Sequence, residues 1–511
     1  MGYRRYDPPT PLLIGYDQCV DLPSDHLARL VEMVVNESVR STQSPLGPGQ
    51  PAFDPRLCIK VLIYGYATGV RSSRQLEKHC NESLPYLLLT RGDSPSYRTL
   101  CSARTGYGEL LEEAWTSLFV VASELGMRRL GRVVVDSSKL RANASPEMVV
   151  ERDEYAQIKS ALKEILAQAQ SVDAREDVEG YEGETKTSVV VEKCQMRDIV
   201  RKVRASLRKQ ESSKGDAESA KPMLTSRMVE RVKGAIVAID EAESEARKHL
   251  CLTDPDARMM HGGREKRVLE CHSFEVAVDR DCGLLVADGV TQVGNDNDRL
   301  EPLVEAARSN EPCGVTAVDG DSGYFKADPV SRLASEGIDL CIPDSTTACE
   351  LHKGLPVGSL RRRCSLSFEY DEKHDTYRCP HGNTLSCRWS KGETGMVQKL
   401  YQACGSCMGC TSYSECIVRQ DGKHAKSKHK CFLYRERGAD LEALLARFNE
   451  SEHRERYNKR GSFVETIFGF IRGTLGYDQW LLRGTDKVKS EGKLIALGYQ
   501  LRKVALNWSG A

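Results

Sequence analysis

The sequence has no long apolar run, no net charge and few aromatic side chains, which make up 6% of its 511 residues. No stretch approaches the roughly 18 consecutive apolar residues of a membrane-spanning helix, and the N-terminal segment lacks the apolar run of a signal peptide. We therefore expect a cytoplasmic protein without a membrane partner. Basic and acidic residues number 73 each, which argues against a nucleic-acid binder only if the charge is evenly spread.

The charge is not evenly spread. Basic residues exceed acidic ones in residues 351–511, whereas residues 1–350 carry the compensating acidic excess. The basic third is where a polyanion would dock. The chain also has 19 cysteines, and without a secretion signal we expect a reducing compartment, where clustered cysteines bind metal more often than they form disulfides.

The length exceeds one ordinary core, and the patterning predicts several units in a mixed α/β fold. The predicted units are an N-terminal arm and linker (1–50), a helical DNA-binding domain (51–128), a first core strand (129–146), a charged helical insertion (147–255), the main part of the core (256–340), a Cys-rich basic insertion (341–440) and a C-terminal part with a glutamate-bearing helix (441–511).

The helical unit begins with the sequence FDPRLCIKVLIYGY, in which Asp54 and Pro55 form a good N-cap and first turn. Short helices separated by turns, with Arg71, Arg74 and Arg98 available for phosphates, suit a helix-turn-helix-like DNA-binding unit. A purely structural helical bundle fits the same pattern, and the sequence alone does not separate the two.

Carboxylates stand out at three places in the pattern. Asp136 ends the predicted strand Val133–Val135, Asp319 and Asp321 follow the apolar run GVTAV, and Glu465 lies beside the apolar stripe of a late helix. Carboxylates that converge from strand ends and a helix can hold two divalent cations. Asp319 and Asp321 are two apart and point to the same side of an extended backbone, so geometry does not choose between them.

Taken together, these segments resemble the DDE-type insertion-sequence transposases, which have an N-terminal transposase helical domain and a ribonuclease-H-like catalytic core. The resemblance rests on VVVDSSKLRANAS around Asp136, on Asp-Ser-Gly-Tyr at Asp321, and on YNKRGSFVETIFGFIR around Glu465. It covers most of the chain. Three departures are the Arg460-to-Glu465 spacing, which is one residue longer than usual, Arg472, where relatives often have Lys, and CHSFEVAVD, which replaces a Gly-Tyr-Asn-x-Gln opening.

The resemblance implies a chemistry and its residues. Asp136, Asp321 and Glu465 would hold two Mg²⁺ or Mn²⁺ ions, and the Asp-Ser-Gly-Tyr context selects Asp321 over Asp319. Tyr457, Arg460 and Arg472 would contact DNA phosphates at the transposon end, although packing or a solvated helix face is the alternative for each. Cleavage would free a 3′-hydroxyl that attacks target DNA. The implied partners are inverted-repeat ends and target DNA, bound by a homodimer or larger homo-oligomer at a bacterial nucleoid.

The cysteines of the second insertion predict a structural Zn²⁺ site. Two CxxC units suit tetrahedral coordination, and the pattern of related transposases selects Cys379, Cys407, Cys410 and Cys416, with Cys404 as a substitute. Buried free thiols are the alternative. Basic runs at 361–363 and 423–430 could contact phosphates. Two other functions remain open: a zinc-containing DNA-binding protein, and a ribonuclease-H-like nuclease that cuts without joining.

Overall fold

The structure is a computed structural model and describes residues 22–38, 52–127, 129–179, 226–262, 267–311, 314–357, 368–393, 396–416 and 431–510, with a few single positions near residue 200 and residue 429. The fold is mixed, with helices and several sheets. Within the described ranges, no helix combines the length and the apolar character needed to cross a bilayer.

Six helices form the N-terminal unit: α1 Leu27–Ser38, α2 Pro55–Ala67, α3 Ser73–Glu82, α4 Leu84–Thr90, α5 Tyr97–Gly106 and α6 Gly108–Glu124. The side chain of Asp54 accepts a hydrogen bond from the backbone N–H of Arg56, and Pro55 occupies the first turn, as the sequence predicted. Helix α2 is buried on every side, because almost all of its residues are shielded from solvent. It is therefore the centre of this unit.

A mixed sheet forms the centre of the chain. Its strands are β1 Arg132–Arg141, β4 Arg258–Gly262, β5 Arg267–Asp279, β6 Leu285–Thr291, β7 Ala317–Asp319 and β8 Asp339–Cys341. The order is β4-β5-β1-β7-β8, and β6 also pairs with β5. Strands β1, β7 and β8 are parallel, whereas β5 is antiparallel to β1 and β6 is antiparallel to β5. The β5–β6 pair is a hairpin, which the strand patterns SFEVAVD and LLVADGVTQ on either side of the turn RDCG predict.

Strand β1 is longer than predicted. We expected it to end at Asp136, but its pairing with β5 continues to Arg141, opposite Cys271. The apolar run is short, and a strand predicted from it is equally short. Backbone pairing needs a neighbouring strand rather than apolar side chains, so it continues through the polar residues that follow. Asp136 therefore lies inside β1, although it lies beyond the last residue that pairs with β7, which is Val134.

A helical segment leaves the sheet after β1. The short strands β2 Val149–Glu151 and β3 His249–Cys251 pair antiparallel and frame two helices, Tyr155–Glu179 and Ser226–Ser244. These helices have an apolar cluster of their own, which includes Ile158, Leu162, Val232 and Ile239. The segment thus has a core separate from that of the central sheet.

The cysteine-bearing segment forms a second sheet with the strands β9 Glu369–Asp371, β10 Thr376–Arg378, β11 Thr384–Glu393, β12 Met396–Ala403 and β13 Cys431–Arg437. All neighbours in this sheet are antiparallel, in chain order. Its small core includes Leu385, Tyr401 and Cys407. A helix at Ser345–His352 precedes it, and a short helix at Tyr413–Cys416 lies between β12 and β13.

The chain ends in helices at Ala439–Ala446, Ser451–Gly469 and Thr485–Ala505, which we call the linker helix, the Glu465 helix and the C-terminal helix. The C-terminal helix joins the N-terminal unit to the central sheet. Its buried Lys493 pairs with Glu112 of α6 at 3.1 Å and with Asp288 of β6, and it lies 4.4 Å from the ring centre of Trp115. The N-terminal unit is therefore fixed to the core.

Candidate active site

Asp136 lies in β1, and Asp321 lies just after the neighbouring parallel strand β7. The last pair between the two strands is Val134 with Asp319, and each aspartate follows that pair by two residues. Parallel strands in register bring such positions to the same edge of a sheet. Gly320 permits the close approach of the chain, because a Cβ there would lie 3.1 Å from Cγ2 of Val135.

The electrostatics of Asp136 reflect the neighbouring carboxylates. The pKa of Asp136 is raised to about 6, chiefly by burial and then by the negative charges of Asp321 and Asp296, while the backbone N–H of Ser137 and the guanidinium of Arg460 oppose the rise. The Ser137 N–H donates to Oδ1 of Asp136 at 2.8 Å. A carboxylate crowded by two others attracts a cation.

Asp319 has a different environment from Asp321. It is 2% exposed, and its carboxylate accepts hydrogen bonds from Nε of Arg456 at 2.6 Å and Nη1 of Arg280 at 3.1 Å. Arg456 also pairs with Asp339 of β8. Asp321, by contrast, accepts a hydrogen bond only from the nearby Gly323 N–H among the contacts described, at 2.9 Å. The carboxylate of Asp319 is thus paired with arginines of the protein, whereas the carboxylate of Asp321 has oxygen atoms available to a ligand.

Glu465 lies on the predicted helix, but its side chain is exposed. Seven residues later, Nη2 of Arg472 donates to the backbone oxygen of Lys139 in β1 at 2.8 Å. Arg472 belongs to a π-helical turn, Phe470–Thr474, which the sequence did not predict. Single π turns are common at functional sites because they redirect side chains. The helix is therefore anchored to β1 close to Asp136.

Tyr457 and Arg460 lie on the side of the Glu465 helix that faces the aspartates. The guanidinium of Arg460 lies 5.3 Å from the ring centre of Tyr457, and its charge lowers the pKa of Asp136. Tyr457 also packs edge-on against Phe448, with ring centres 5.7 Å apart. Tyr457 therefore packs against a neighbouring ring and also lies close to the site.

The three arginines of the N-terminal unit have different environments. Arg71 donates to the backbone oxygen of Gln479, and its Nη1 lies 3.6 Å from Oε1 of the buried Glu491. Arg74 and Arg98 are exposed and flank the ring of Tyr97, at 5.3 and 5.8 Å from its centre. Arg71 thus joins two parts of the fold, whereas Arg74 and Arg98 present their charges to solvent.

Sequence reasoning missed Lys139, Asp296 and Tyr324, which lie around the two aspartates. Nζ of Lys139 donates to Oδ1 of Asp296 at 2.8 Å. Tyr324 is fully buried, and its pKa is raised well above the usual value by burial first and then by Asp296, Asp136, Glu275 and Asp321. A signal was present, because both Lys139 and Tyr324 belong to the motifs around Asp136 and Asp321. Asp296 had no such signal, since it lies in a loop.

Four cysteines line one pocket of about 350 Å³ beside the second sheet: Cys379, Cys407, Cys410 and Cys416. The Asn383 backbone N–H donates to Sγ of Cys379 at 3.2 Å, and its side-chain amide donates to Sγ of Cys407 at 3.7 Å. The substitute, Cys404, is exposed and contacts Ser386 instead. The pocket therefore gathers the four predicted thiols and leaves out the fifth.

No formed metal site is present in the described parts of the chain, where no group of three or more His, Cys, Asp or Glu side chains is arranged to hold an ion. This applies both to the carboxylates Asp136, Asp321 and Glu465 and to the four cysteines. The zinc prediction thus rests only on the shared pocket and on the Asn383 hydrogen bonds to two of the sulfurs. The predicted basic runs at 361–363 and 423–430 lie outside the described residues, apart from His429.

Comparison with known families decides the class. A family model described as "Transposase DDE domain" matches residues 378–505, and one described as "Transposase domain (DUF772)" matches residues 17–106. These two matches support a DDE-type insertion-sequence transposase. The first match contains Glu465 and the cysteine pocket of the transposase, and the second contains most of its N-terminal helical unit. Asp136 and Asp321 lie outside both matches. No curated protein matches the chain.

Proposed function

We propose that this transposase cleaves DNA at the ends of its element and joins the freed 3′-hydroxyl to target DNA, with Asp136, Asp321 and Glu465 as its divalent-cation ligands. The observation that carries the proposal is the matched position of Asp136 and Asp321, each two residues beyond the last pair of the parallel strands β1 and β7, where the charge of Asp321 contributes to the raised pKa of Asp136. Two crowded carboxylates form a site that a divalent cation would neutralise.

The sheet supports a ribonuclease-H-like core. A central strand, β1, has an antiparallel hairpin on one side and two parallel strands on the other, and the aspartates lie where the parallel pairing ends. Under this proposal the helical segment and the cysteine-bearing sheet are insertions into that core. Ligands of parallel sheets bind beyond the carboxyl ends of the strands, and Asp136 and Asp321 lie just beyond the end of the parallel pairing of β1 with β7.

The chemistry assigned to each residue follows from its surroundings. Bound divalent cations would lower the pKa of the attacking water or hydroxyl and stabilise the leaving oxygen of the phosphodiester. Asp136 and Asp321 would hold these ions, and Glu465 would complete the site from the helix that Arg472 anchors to β1. Because Glu465 is exposed in the free chain, its approach would accompany binding of cations and DNA.

The DNA would approach along the Glu465 helix. Arg460 lies beside Asp136, and a guanidinium near the cations can hold the phosphate that reacts. Arg74 and Arg98 offer a second, exposed contact on the N-terminal unit. Arg71 and Arg472 already donate to backbone oxygens, so their proposed contribution is to hold the surfaces that meet DNA. Binding of two element ends implies a homodimer or larger assembly on DNA.

A structural zinc ion on Cys379, Cys407, Cys410 and Cys416 is also part of the proposal. Its support is that the four thiols line one pocket and that Asn383 donates to two of the sulfurs, as donors beside metal-bound thiolates do. The metal content of the purified transposase tests it. About one zinc per chain is expected, and loss of zinc from Cys407→Ser without loss from Cys404→Ser would assign the ligands.

The deciding experiment uses a duplex that carries the element's own end, read from the DNA that flanks the gene. Wild-type transposase with Mg²⁺ should nick this duplex and join it to a plasmid. Asp136→Ala, Asp321→Ala and Glu465→Ala should each abolish both products while still binding the duplex. Cleavage by any of the three variants at the wild-type rate would refute the assignment of that residue.

A pre-cleaved end separates this proposal from the rival nuclease. The transposase should join an end that already has a free 3′-hydroxyl, because strand transfer uses the same site as cleavage. A protein that cuts the intact end but never joins the pre-cleaved one would be a nuclease without joining activity. Binding without either product would indicate a DNA-binding protein.

A further inference from the structure

The ammonium of Lys139 is held by three side-chain oxygens. Its Nζ donates to Oγ of Ser273 at 2.8 Å, to Oδ1 of Asp296 at 2.8 Å and to Oγ of Ser137 at 3.0 Å. A lysine ammonium has three N–H donors, so all of them are used inside the protein. Although Lys139 follows Asp136 by only three residues and suits a phosphate by charge, it is engaged in holding Asp296.

Asp296 is fixed in turn by these contacts. Oγ of Ser137 lies 3.0 Å from both of its carboxylate oxygens, and the Lys139 ion pair is only 14% exposed on either side chain. Ser137 and Lys139 lie on the same face of β1, because residues two apart in a strand point to the same side. A loop carboxylate is thereby attached to the strand that carries Asp136.

The second oxygen of Asp296 faces Asp321 across Gly323. A Cβ at Gly323 would lie 3.0 Å from Oδ1 of Asp321 and 3.6 Å from Oδ2 of Asp296. Both carboxylates therefore border the same small space. A side chain at position 323 would press against Asp321, so this position favours glycine.

A buried hydroxyl lies among the same carboxylates. Tyr324 is fully buried, and its hydroxyl has no hydrogen-bond partner among the described residues. Burial raises the pKa of Tyr324, and the negative charges of Asp296, Asp136, Glu275 and Asp321 raise it further. Leaving a buried hydroxyl without a partner costs about 1–3 kcal/mol. A donor held without a partner beside three carboxylates indicates that the arrangement is completed by something bound there.

We propose that Asp296 is a positioning residue of the active site. Clamped by Lys139 and Ser137, it holds a fixed negative charge beside Asp136 and Asp321 and offers Oδ2 to water that a bound divalent cation orders, with the Tyr324 hydroxyl as the neighbouring donor. This inference rests on the proposed function. In this inference the Lys139–Asp296 pair fixes the position of the aspartates and does not contact DNA.

The test measures cation binding as well as catalysis in the full chain. Mn²⁺ affinity is measured by calorimetry without DNA, and single-turnover cleavage of the element-end duplex is measured at saturating Mn²⁺. Asp296→Asn leaves the Lys139 ammonium unpaired beside Asp136, so Mn²⁺ affinity should fall about tenfold and the cleavage rate at least tenfold. Adding Lys139→Met should restore Mn²⁺ affinity to within about threefold, because the charge is again balanced, but not the cleavage rate.

Two controls make the outcome decisive. Asp298→Asn removes an exposed carboxylate two residues away, which pairs with Lys326, and should leave both measurements unchanged. Asp296→Glu keeps the charge and should recover part of the cleavage rate, which a loss of folding would not allow. The inference would be overturned if Asp296→Asn kept the wild-type Mn²⁺ affinity and cleavage rate. It would also be overturned if Asp296→Asn and Asp296→Glu were equally inactive and both had lowered melting temperatures.

Failure of this inference can be told from failure of the proposed function. If Asp136→Ala is inactive while Asp296→Asn cleaves normally, only the role of Asp296 is wrong. If Asp136→Ala itself cleaves, the proposed active site is wrong, and the Asp296 inference fails with it.

Discussion

Replacing the two neighbouring aspartates separately should divide stability from catalysis. Asp319 is 2% exposed and is held by Arg456 at 2.6 Å and Arg280 at 3.1 Å. In Asp319→Asn the two guanidiniums lose a buried carboxylate partner, although Arg456 keeps its pair with Asp339. Breaking a buried pair on one side costs about 3–5 kcal/mol, and the retained partner reduces the expected loss to about 2–3 kcal/mol.

Asp321→Asn should behave in the opposite way. The only described hydrogen bond of its side chain comes from the Gly323 N–H, and an asparagine oxygen can also accept it, so the free energy of unfolding should change by less than about 1 kcal/mol. Cleavage and joining should be lost, because the neutral amide is a poor ligand for a hard cation. Removing the negative charge should also lower the pKa of Asp136, which Asp321 raises.

Denaturant unfolding and the element-end cleavage assay measure the two effects on the same preparations. Asp319→Asn should unfold at lower urea concentration and still cleave at a temperature where it is folded. Asp321→Asn should unfold like the wild type and fail to cleave. An Asp319→Asn variant that is stable but inactive, together with an active Asp321→Asn variant, would refute the assignment and exchange the roles of the two residues.

Three further outcomes are expected. Replacing both Arg74 and Arg98 by Ala should weaken binding to the element-end duplex about tenfold and lower its salt dependence, with Lys78→Ala as an exposed control on the same unit; unchanged binding would leave the helical unit structural. Burial and the negative charge of Asp279 raise the pKa of Glu311 to about 7, although Arg129 partly opposes the rise. The stability that the protonated form contributes is therefore lost as the pH rises from about 4.5 through 7. Glu311→Gln should therefore be about 1–3 kcal/mol more stable than the wild type at pH 8 but not at pH 4, as measured by urea unfolding, and equal curves at both values would contradict the shift. Chelation of zinc should lower the melting temperature of the wild type but not of Cys407→Ser, and identical responses would argue against the cysteine site.

The sequence was a sufficient guide where local chemistry decides the structure. The Asp54-Pro55 pair predicts the start of α2, and alternating residues predict the β5–β6 hairpin, because caps and strand periodicity depend on neighbours in the chain. The apolar stripe around Glu465 likewise predicts its helix. The family was also readable from short motifs, and the family comparisons confirm it.

The tertiary structure decided which of two similar residues is available for chemistry. Asp319 and Asp321 are equivalent in an extended chain, but only the fold brings Arg456 and Arg280 to Asp319 and leaves Asp321 to face Asp136. Arg71 and Arg74 are three residues apart, yet one is held inside and the other is exposed.

The same applies to Asp296, which lies 160 residues beyond Asp136 in the sequence and has no motif around it. Its pairing with Lys139 exists because a loop returns to the face of β1 that carries Ser137 and Lys139. The sequence by itself determined the class of the protein and the elements of its core, since these depend on local pattern. Which carboxylates are paired internally and which remain for a ligand depends on contacts between distant segments, and only the folded chain fixes those.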